Sequence, residues 1–366
     1  MTQRAPAYDV IVNKRDLRQV SIEPAPDEEV IPLEAGQILA RLDRFALTSN
    51  NVTYGAVGDA LGYWKFFPVS RPGWGRLPVW GFADVVRSEH AELRAGERIY
   101  GFFPMSSYLV IHADRVAQDT LMDAAEHRSR LPPFYNQYQR VQADSSGDPD
   151  TEGLQAIFRP LFATSFLLDD LLEESAFHGA KAIVLASASS KTALGLAHLL
   201  TSNRRAAYEV VGLTSARNAA FAAGTGYHDR VVGYDDVPSL AKEPAILVDL
   251  SGDPAVVRAV HTHFAEQLAF SCRVGATHWE DRAPAQDLPG PVPSFFFAPE
   301  RAMKRQSELG VAAFQGRIRD AQRSFLADAR RWLRIVEHAG PAAIERIYRA
   351  VLDGRSDPSE GQICRI

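Results

Sequence analysis

The 366-residue sequence lacks several features that would assign it at once to a class of protein. It has only two cysteines, Cys272 and Cys364, which excludes a cysteine-liganded zinc lobe and makes a structural disulfide unexpected. No apolar run approaches the ~18 residues of a membrane-spanning helix, and the N-terminal residues lack the apolar core of a signal peptide. We therefore expect a cytoplasmic protein with no membrane partner.

Other absences narrow the function further. The formal net charge is −5 and no block of Lys or Arg runs along the chain, so nucleic acid is not an expected partner. The G-x-S-x-G turn of serine hydrolases is missing, which leaves acyl-transfer chemistry without its usual nucleophile. No internal repeat is visible, and the length suggests two domains rather than one.

What the sequence does contain is a change of hydrophobic period near residue 158. Before it, short apolar runs between turn residues predict strands at Val10–Val12, Gln37–Leu42, Val79–Val86, Arg98–Phe103 and Tyr108–His112. After it, strand-like runs alternate with helical stretches, at Ala182–Ala186, Glu209–Leu213, Arg230–Val232, Ala245–Leu250 and Ser271–Gly275. This second pattern is typical of a parallel sheet with crossover helices.

Two further segments complete this reading of the chain. The polar stretch Asp144–Asp150 is predicted to be an exposed loop or domain boundary. The segment Ser324–Leu352 is predicted to be helical with one break at Gly340-Pro341, and Gly361–Ile366 is predicted to end the chain as a strand.

The most informative stretch is Lys181–Ala197, which predicts a strand, a tight turn and a helix in that order. Dinucleotide-binding domains place the cofactor pyrophosphate at such a helix N-terminus. The usual G-x-G-x-x-G is missing, and its three positions fall on Ser187, Ser189 and Thr192. The turn ends in Lys-Thr, as the phosphate loop of nucleotide hydrolases does, but it lacks the glycines that such a loop needs.

Hydroxyl groups and one cation would therefore have to replace the glycines. The candidate pyrophosphate residues are Ser187, Ser189, Ser190, Lys191 and Thr192. An alternative interpretation is that small Ser and Ala side chains only allow close strand–helix packing, with Lys191 in water. The position of the turn in a βαβ series favours binding.

The end of the next strand bears on which dinucleotide would bind. An enzyme specific for NAD would place Asp or Glu there, whereas this chain has Thr214, Ser215 and Arg217 and no acid. A guanidinium suits the 2′-phosphate of NADP, and a carboxylate would repel it. Thr214 or Ser215 also fits an ordinary helix N-cap with Arg217 solvated, and both interpretations can hold together. We predict NADP(H) as the cofactor.

Several segments together resemble the medium-chain dehydrogenase/reductase superfamily, in particular its zinc-free quinone- and enoyl-reductase branch. They are Trp80–Val85, Ala95–Gly101, Ala223–Val231, Val248–Gly252 and Val351–Cys364. More narrowly, the motifs Thr53–Gly55, Tyr63–Trp64, Phe66–Pro68, His127–Arg128, Tyr135–Tyr138, Ser187–Ala193 and Phe296–Pro299 are similar to those of a DUF2855-type family.

The resemblance implies an α/β protein with a GroES-like β-rich domain and a Rossmann-like domain holding a doubly wound parallel sheet. The expected domains are residues 1–155 for the β-rich substrate domain and 156–300 for the dinucleotide-binding domain. Residues 301–366 would form C-terminal helices and a strand returning to the first domain. The superfamily also leads us to expect a homodimer.

The resemblance further implies a metal-free reductase that transfers hydride from NADPH to an activated C=C bond, in an enone, enoyl or quinone-type substrate. The substrate would be a small molecule or a carrier-bound acyl chain. Two alternatives stay open: an NADP-dependent carbonyl or acyl reductase, and a binding protein that retains the fold without cofactor.

Site residues on the β-rich half follow from the same resemblance. Asn51 corresponds to the Asp of an N-P-x-D motif that lines the nicotinamide pocket in enoyl reductases. Tyr54 or Tyr63 would be the proton donor, provided that a neighbouring cation lowers its pKa. The alternative for Tyr63 is plain aromatic packing.

A second cluster begins at His127, which would donate a proton near the substrate, while Arg128 or Arg130 would hold a substrate carboxylate or phosphate. The alternative is a loop pinned by Tyr135 and Tyr138.

No metal site is predicted. The pair His261 and His263 falls on a predicted surface helix, where this spacing places the two rings on diverging faces, and we expect both rings to be solvated.

Overall fold

A computed structural model gives the fold and describes residues 6–141, 148–203, 207–274 and 287–366. The chain divides into two compact units. The first comprises the residues up to Ile157 together with Ile335–Ser356 and Glu360–Ile366. The second comprises Phe158–Arg334 and the short segment Asp357–Ser359.

The described ranges contain seventeen strands, numbered in chain order. They are β1 (Tyr8–Asn13), β2 (Val20–Pro24), β3 (Gln37–Leu47), β4 (Trp74–Arg76), β5 (Pro78–Ser88), β6 (Arg98–Pro104), β7 (Tyr108–Asp114), β8 (Thr120–Asp123), β9 (Gln137–Val141), β10 (Ala182–Ala186), β11 (Glu209–Thr214), β12 (Arg230–Gly233), β13 (Ala245–Asp249), β14 (Leu268–Arg273), β15 (Ser294–Phe295), β16 (Arg334–Ala339) and β17 (Glu360–Arg365).

Within the same described ranges the chain also forms eight α-helices. They are α1 (Ser49–Ala56), α2 (Pro149–Glu174), α3 (Lys191–Ser202), α4 (Ala216–Gly224), α5 (Pro254–Phe264), α6 (Ala298–Leu309), α7 (Val311–Ala329) and α8 (Pro341–Leu352). None of the helices in the described ranges combines the length and apolar character needed to cross a bilayer.

The first unit is built on an eight-stranded sheet in the order β16-β17-β3-β5-β6-β9-β8-β7. Strand β7 also pairs antiparallel with β3, so the sheet closes on itself around a core in which Phe45, Phe82 and Phe102 are almost fully buried. A three-stranded sheet, β2-β1-β4, belongs to the same unit. The predicted β-rich half is confirmed, although the short strands β2, β4, β8 and β9 were not predicted because they carry little apolar signal.

The second unit contains a parallel sheet in the order β12-β11-β10-β13-β14-β15. Its central strands are apolar throughout, since Val184, Leu213 and Leu247 are fully buried between the helix layers. The order reverses between β10 and β13, and in open α/β sheets ligands bind at the carboxyl ends of the strands at such a reversal. The predicted Rossmann-like, doubly wound sheet is confirmed.

The C-terminal region corrects one prediction. Instead of a helix interrupted once between Ser324 and Leu352, the chain forms the end of α7, the strand β16 and then α8. Ile335 and Val336 are β-branched, and β16 lies at the sheet edge beside β17, so tertiary pairing overrides the helical pattern. The predicted break is confirmed: Gly340 has φ 79° and precedes Pro341 at the start of α8. Of the predicted loop Asp144–Asp150, residues 144–147 lie outside the described ranges.

Candidate dinucleotide and substrate sites

The turn between β10 and α3, residues 186–191, is called the serine turn here. Its first fingerprint position, Ser187, has φ 62°, in the left-handed region that glycine adopts most freely. The Tyr234 hydroxyl hydrogen-bonds both the backbone and the side chain of Ser187. The chain therefore follows the tight path of a glycine turn although a serine stands there.

The second fingerprint position has its side chain turned into the protein. Ser189 is buried, its Oγ lies 3.4 Å from Oγ1 of Thr214, and it accepts a hydrogen bond from Nδ2 of Asn218 at 3.2 Å. The hydroxyls of Ser189 and Thr214, predicted to contact cofactor, are thus engaged with each other. The Ser189 side chain is directed toward β11 and α4.

The serine turn ends where helix α3 begins. Ser190 is the N-cap, and its Oγ accepts a hydrogen bond from the amide of Ala193 at 3.3 Å. Thr192 is half-buried, and its carbonyl accepts a hydrogen bond from the Ser165 hydroxyl at 2.8 Å. Lys191 is the first residue of the helix, and its Nζ reaches the carbonyl of Pro358 at 3.5 Å. A cation therefore stands at a helix N-terminus, where the peptide dipoles also favour an anion.

The neighbouring strand, β11, ends in a second helix N-terminus. Ser215 is the N-cap of α4, but its side chain makes no capping hydrogen bond, and Thr214 is bonded to Ser189 instead. Ser215 therefore occupies the N-cap position that the alternative interpretation gave it, but neither hydroxyl caps the helix with a hydrogen bond. Arg217 is exposed in the first turn of α4, and its positive charge acts on Asp357 together with that of Lys191.

In the first unit, three tyrosines form a buried cluster, called the tyrosine cluster here: Tyr54, Tyr63 and Tyr135. Each is about 5% exposed. The hydroxyls of Tyr63 and Tyr135 lie 2.9 Å apart, and Nε1 of Trp80 donates to the Tyr54 hydroxyl at 3.1 Å. Asn50 and Tyr135 also hydrogen-bond Tyr54. Three phenols and an indole thus share one hydrogen-bonded network.

Burial sets the acidity of this cluster. It raises the pKa of Tyr54 to about 12, raises the pKa of Tyr63, and raises the pKa of Tyr135 well above its usual value. This is the opposite of the lowering that was the condition for a proton donor, and no cation is among the causes of these shifts. The hydroxyls stay protonated at neutral pH and act as neutral hydrogen-bond donors.

Asn51 holds helix α1 in place. Its Oδ1 accepts a hydrogen bond from the amide of Thr48 at 2.8 Å, and its Nδ2 donates to the carbonyl of Pro78 at 2.9 Å. Asn51 is 4% exposed. Its amide therefore ties the helix that carries Tyr54 to strand β5, and Asn51 positions that helix.

Arg128 also has a structural position, which corrects its predicted role as a substrate clamp. Its side chain is 1% exposed and pairs with the equally buried Asp123 at 2.7 Å. Its Nε donates to the carbonyl of Phe66 at 3.2 Å, and Nε2 of His127 lies 3.1 Å from the same oxygen. His127 and Arg128 thus fix the aromatic segment that follows Tyr63.

The prediction that both His261 and His263 are solvated is wrong for His261. His261 is fully buried, with Nδ1 2.9 Å from the carbonyl of Pro289 and Nε2 2.9 Å from the Ser271 hydroxyl. His263 is half-buried and contacts the carbonyl of Leu240. Within the four described ranges of the chain, no group of three or more His, Cys, Asp or Glu side chains is placed to hold a metal ion.

Two residues of these sites were not predicted from the sequence. Tyr135 was interpreted only as a loop anchor, and the sole signal for its position is the aromatic segment Phe134–Tyr138. Asp357 stands near the C-terminus, about 140 residues after Arg217 in the sequence, so no local pattern indicates that it lies near the serine turn.

Comparison with known proteins agrees with this architecture. A family model described as "Protein of unknown function (DUF2855)" matches residues 45–357. No curated protein matches the sequence.

Solved structures are similar in fold over nearly the whole chain. CurA from Vibrio vulnificus in complex with NADPH has a TM-score of 0.66 at 15% identity, covering 98% of this chain and 99% of that one. The yhdH oxidoreductase from Salmonella enterica in complex with NADP has a TM-score of 0.52 at 15% identity, covering 98% and 99%. A mutant form of enoyl thioester reductase from Candida tropicalis has a TM-score of 0.59 at 11% identity, covering 99% and 100%.

Proposed function

This chain belongs to the family described as protein of unknown function DUF2855, and we propose that it is an NADPH-dependent reductase of an activated C=C bond. The observation that carries the proposal is the serine turn. It joins β10 to α3 at the reversal of strand order, in a left-handed conformation, with Lys191 and Arg217 in the first turns of adjacent helices. Two proteins of the same fold are bound to NADPH or NADP.

The residues of the serine turn fit a dinucleotide. Helix α3 directs its first amide groups toward the turn, and Lys191 adds a positive charge for the pyrophosphate. Arg217 stands at the end of β11, where the 2′-phosphate of the adenosine ribose would lie in this fold. Because Ser189 is turned inward, its side chain does not cover the turn.

The chemistry requires a proton as well as a hydride. When bound, NADPH supplies the hydride from its nicotinamide. We assign the proton to Tyr63, because its hydroxyl hydrogen-bonds Tyr135, whereas the Tyr54 hydroxyl is already surrounded by Trp80, Asn50 and Tyr135. Tyr135 would then donate to the Tyr63 oxygen as that oxygen loses its proton. A neutral phenol suits the stabilisation of an enolate-like anion.

The proposed substrate class follows from the assignment of the proton to a buried tyrosine. An enone, an enoyl group or a quinone would develop the oxyanion that a buried phenol can protonate, without a metal ion. A carbonyl or carrier-bound acyl substrate is the alternative. Homodimerisation remains a prediction from the resemblance, and a cytoplasmic location remains a prediction from the sequence.

Replacing Lys191 with alanine tests the binding half of the proposal. We expect the dissociation constant for NADPH to rise at least about tenfold, because a charge-assisted contact to phosphate is lost. Isothermal titration calorimetry on the purified protein measures this directly. Lys181→Ala is the matched control, since Lys181 is exposed and precedes the opposite end of β10.

An unchanged affinity in Lys191→Ala would show that the serine turn does not hold the pyrophosphate. If Lys181→Ala weakened binding equally, the effect would be one of general charge rather than of this contact.

A further inference from the structure

The second fingerprint position of the serine turn holds a serine, whereas the G-x-G-x-x-G motif has glycine there so that the backbone can approach the pyrophosphate. Ser189 and its side-chain partners all belong to the second unit. Nδ2 of Asn218 donates to the Ser189 Oγ at 3.2 Å, and Oγ1 of Thr214 lies 3.4 Å from the same atom. The Ser189 hydroxyl is thus held by the end of β11 and the first turn of α4.

The backbone of Ser189 stays available in this arrangement. On either side of it, the amide of Ala188 donates to the carbonyl of Leu213 at 2.9 Å, and the amide of Ser190 donates to the carbonyl of Ser187 at 2.8 Å. The amide of Ser189 itself donates to no other group within the described part of the chain. It is a free donor beside the N-terminus of α3, and backbone amides in such a place bind phosphate oxygens.

The direction of the Ser189 hydroxyl decides whether this amide stays open. A serine Oγ has three staggered positions about the Cα–Cβ bond, and the bond from Asn218 selects the position that faces β11 and α4. A serine hydroxyl without such a partner hydrogen-bonds its own or neighbouring backbone groups instead. In the serine turn it would then stand between the Ser189 amide and a phosphate oxygen.

We propose that Asn218 is a positioning residue of the dinucleotide site, which holds the Ser189 hydroxyl toward α4 and so keeps the Ser189 amide open to the pyrophosphate. This rests on the proposed function, since it requires a dinucleotide at the serine turn. The pyrophosphate is common to NADPH and NADH, so Asn218 acts on both nucleotides alike. A serine with an asparagine partner thereby replaces the second glycine of the fingerprint.

The test is Asn218→Ala, studied by calorimetric titration with NADPH and separately with NADH. We expect both dissociation constants to rise by the same factor, about three- to tenfold, because a hydrogen bond to phosphate is weakened. Alanine suits a helix, so α4 should be retained. Asn203→Ala is the matched control, since Asn203 is exposed at the other end of α3 and its replacement should change neither constant.

The same substitution in a Ser189→Ala background separates positioning from a merely structural role. Ser189→Ala has no hydroxyl for Asn218 to hold. Adding Asn218→Ala should therefore change its two dissociation constants by less than about twofold. If Asn218 only supported helix α4, the loss of affinity would be the same with and without the hydroxyl.

The outcomes separate this inference from the proposed function. If the unmodified protein binds NADPH and Asn218→Ala leaves both constants unchanged, tightens binding or weakens NADPH alone, the positioning role is overturned and the cofactor assignment stands. A loss that persists in full in the Ser189→Ala background overturns the positioning role as well. If the unmodified protein binds neither nucleotide, the proposed function is overturned and this inference with it.

Discussion

Replacing Arg128 with methionine is expected to lower the free energy of unfolding by about 3–5 kcal/mol. The Arg128 side chain and its partner Asp123 are each 1% exposed, and their ion pair is 2.7 Å long. Methionine retains most of the apolar volume but leaves the Asp123 carboxylate buried without its counter-ion. The guanidinium also lies 4.5 Å from the Phe67 ring centroid, a contact that is lost as well.

Denaturant unfolding followed by tryptophan fluorescence measures this effect, since Trp64 and Trp80 report on the same unit. Arg130→Met is the matched control, because Arg130 is exposed and its replacement should change stability by less than about 0.5 kcal/mol. Adding Asp123→Asn to Arg128→Met should restore part of the loss by removing the uncompensated charge. A loss below about 1 kcal/mol in Arg128→Met would contradict the structural role assigned to this pair.

Tyr63→Phe is expected to lower the turnover of a reducible substrate by about a hundredfold or more, within the range that positioned proton donors contribute. The NADPH dissociation constant should stay the same, because the tyrosine cluster belongs to a different unit from the serine turn. Loss of nicotinamide absorbance with enones and quinones gives the rate, and calorimetry gives the affinity.

Tyr135→Phe is the matched variant, since it removes the same 2.9 Å hydrogen bond from the other side. It keeps the Tyr63 hydroxyl and should slow turnover less. If Tyr63→Phe is fully active while Tyr54→Phe is inactive, the proton comes from Tyr54. If both are fully active, the tyrosine cluster is only a packed core.

The pH dependence of stability has a definite sign in this cluster. The pKa of Tyr54 is raised to about 12 by burial, above the ordinary phenol value of 10. Between these values the unfolded chain loses a proton that the folded chain keeps, so the stability contribution is fully present below pH 10 and is lost as the pH rises toward 12.

The parallel sheet could be predicted from the sequence because its strands are buried on both faces and read as continuous apolar runs. Val184 and Leu247 lie in such runs, and their strands have nearly the predicted bounds. Edge strands such as β16 carry no comparable signal. Their pairing depends on partners that are distant in sequence.

The site residues also differ in whether a local sequence pattern could predict their positions. The serine turn was found because strand, turn and helix follow one another locally. By contrast, the burial of His261 and Arg128 depends on tertiary partners, Ser271 for the first and Phe66 for the second, that no local pattern reveals. The left-handed backbone of Ser187 is equally hidden, because serine rarely adopts it.

The most direct test of the account is calorimetric titration of the unmodified protein with NADPH and then with NADH at modest ionic strength. We expect one site per chain that binds NADPH more tightly than NADH, since Arg217 favours the 2′-phosphate that only NADPH carries. If neither NADPH nor NADH releases or absorbs heat on titration, the proposed dinucleotide site is contradicted. The protein would then keep the reductase fold without its cofactor.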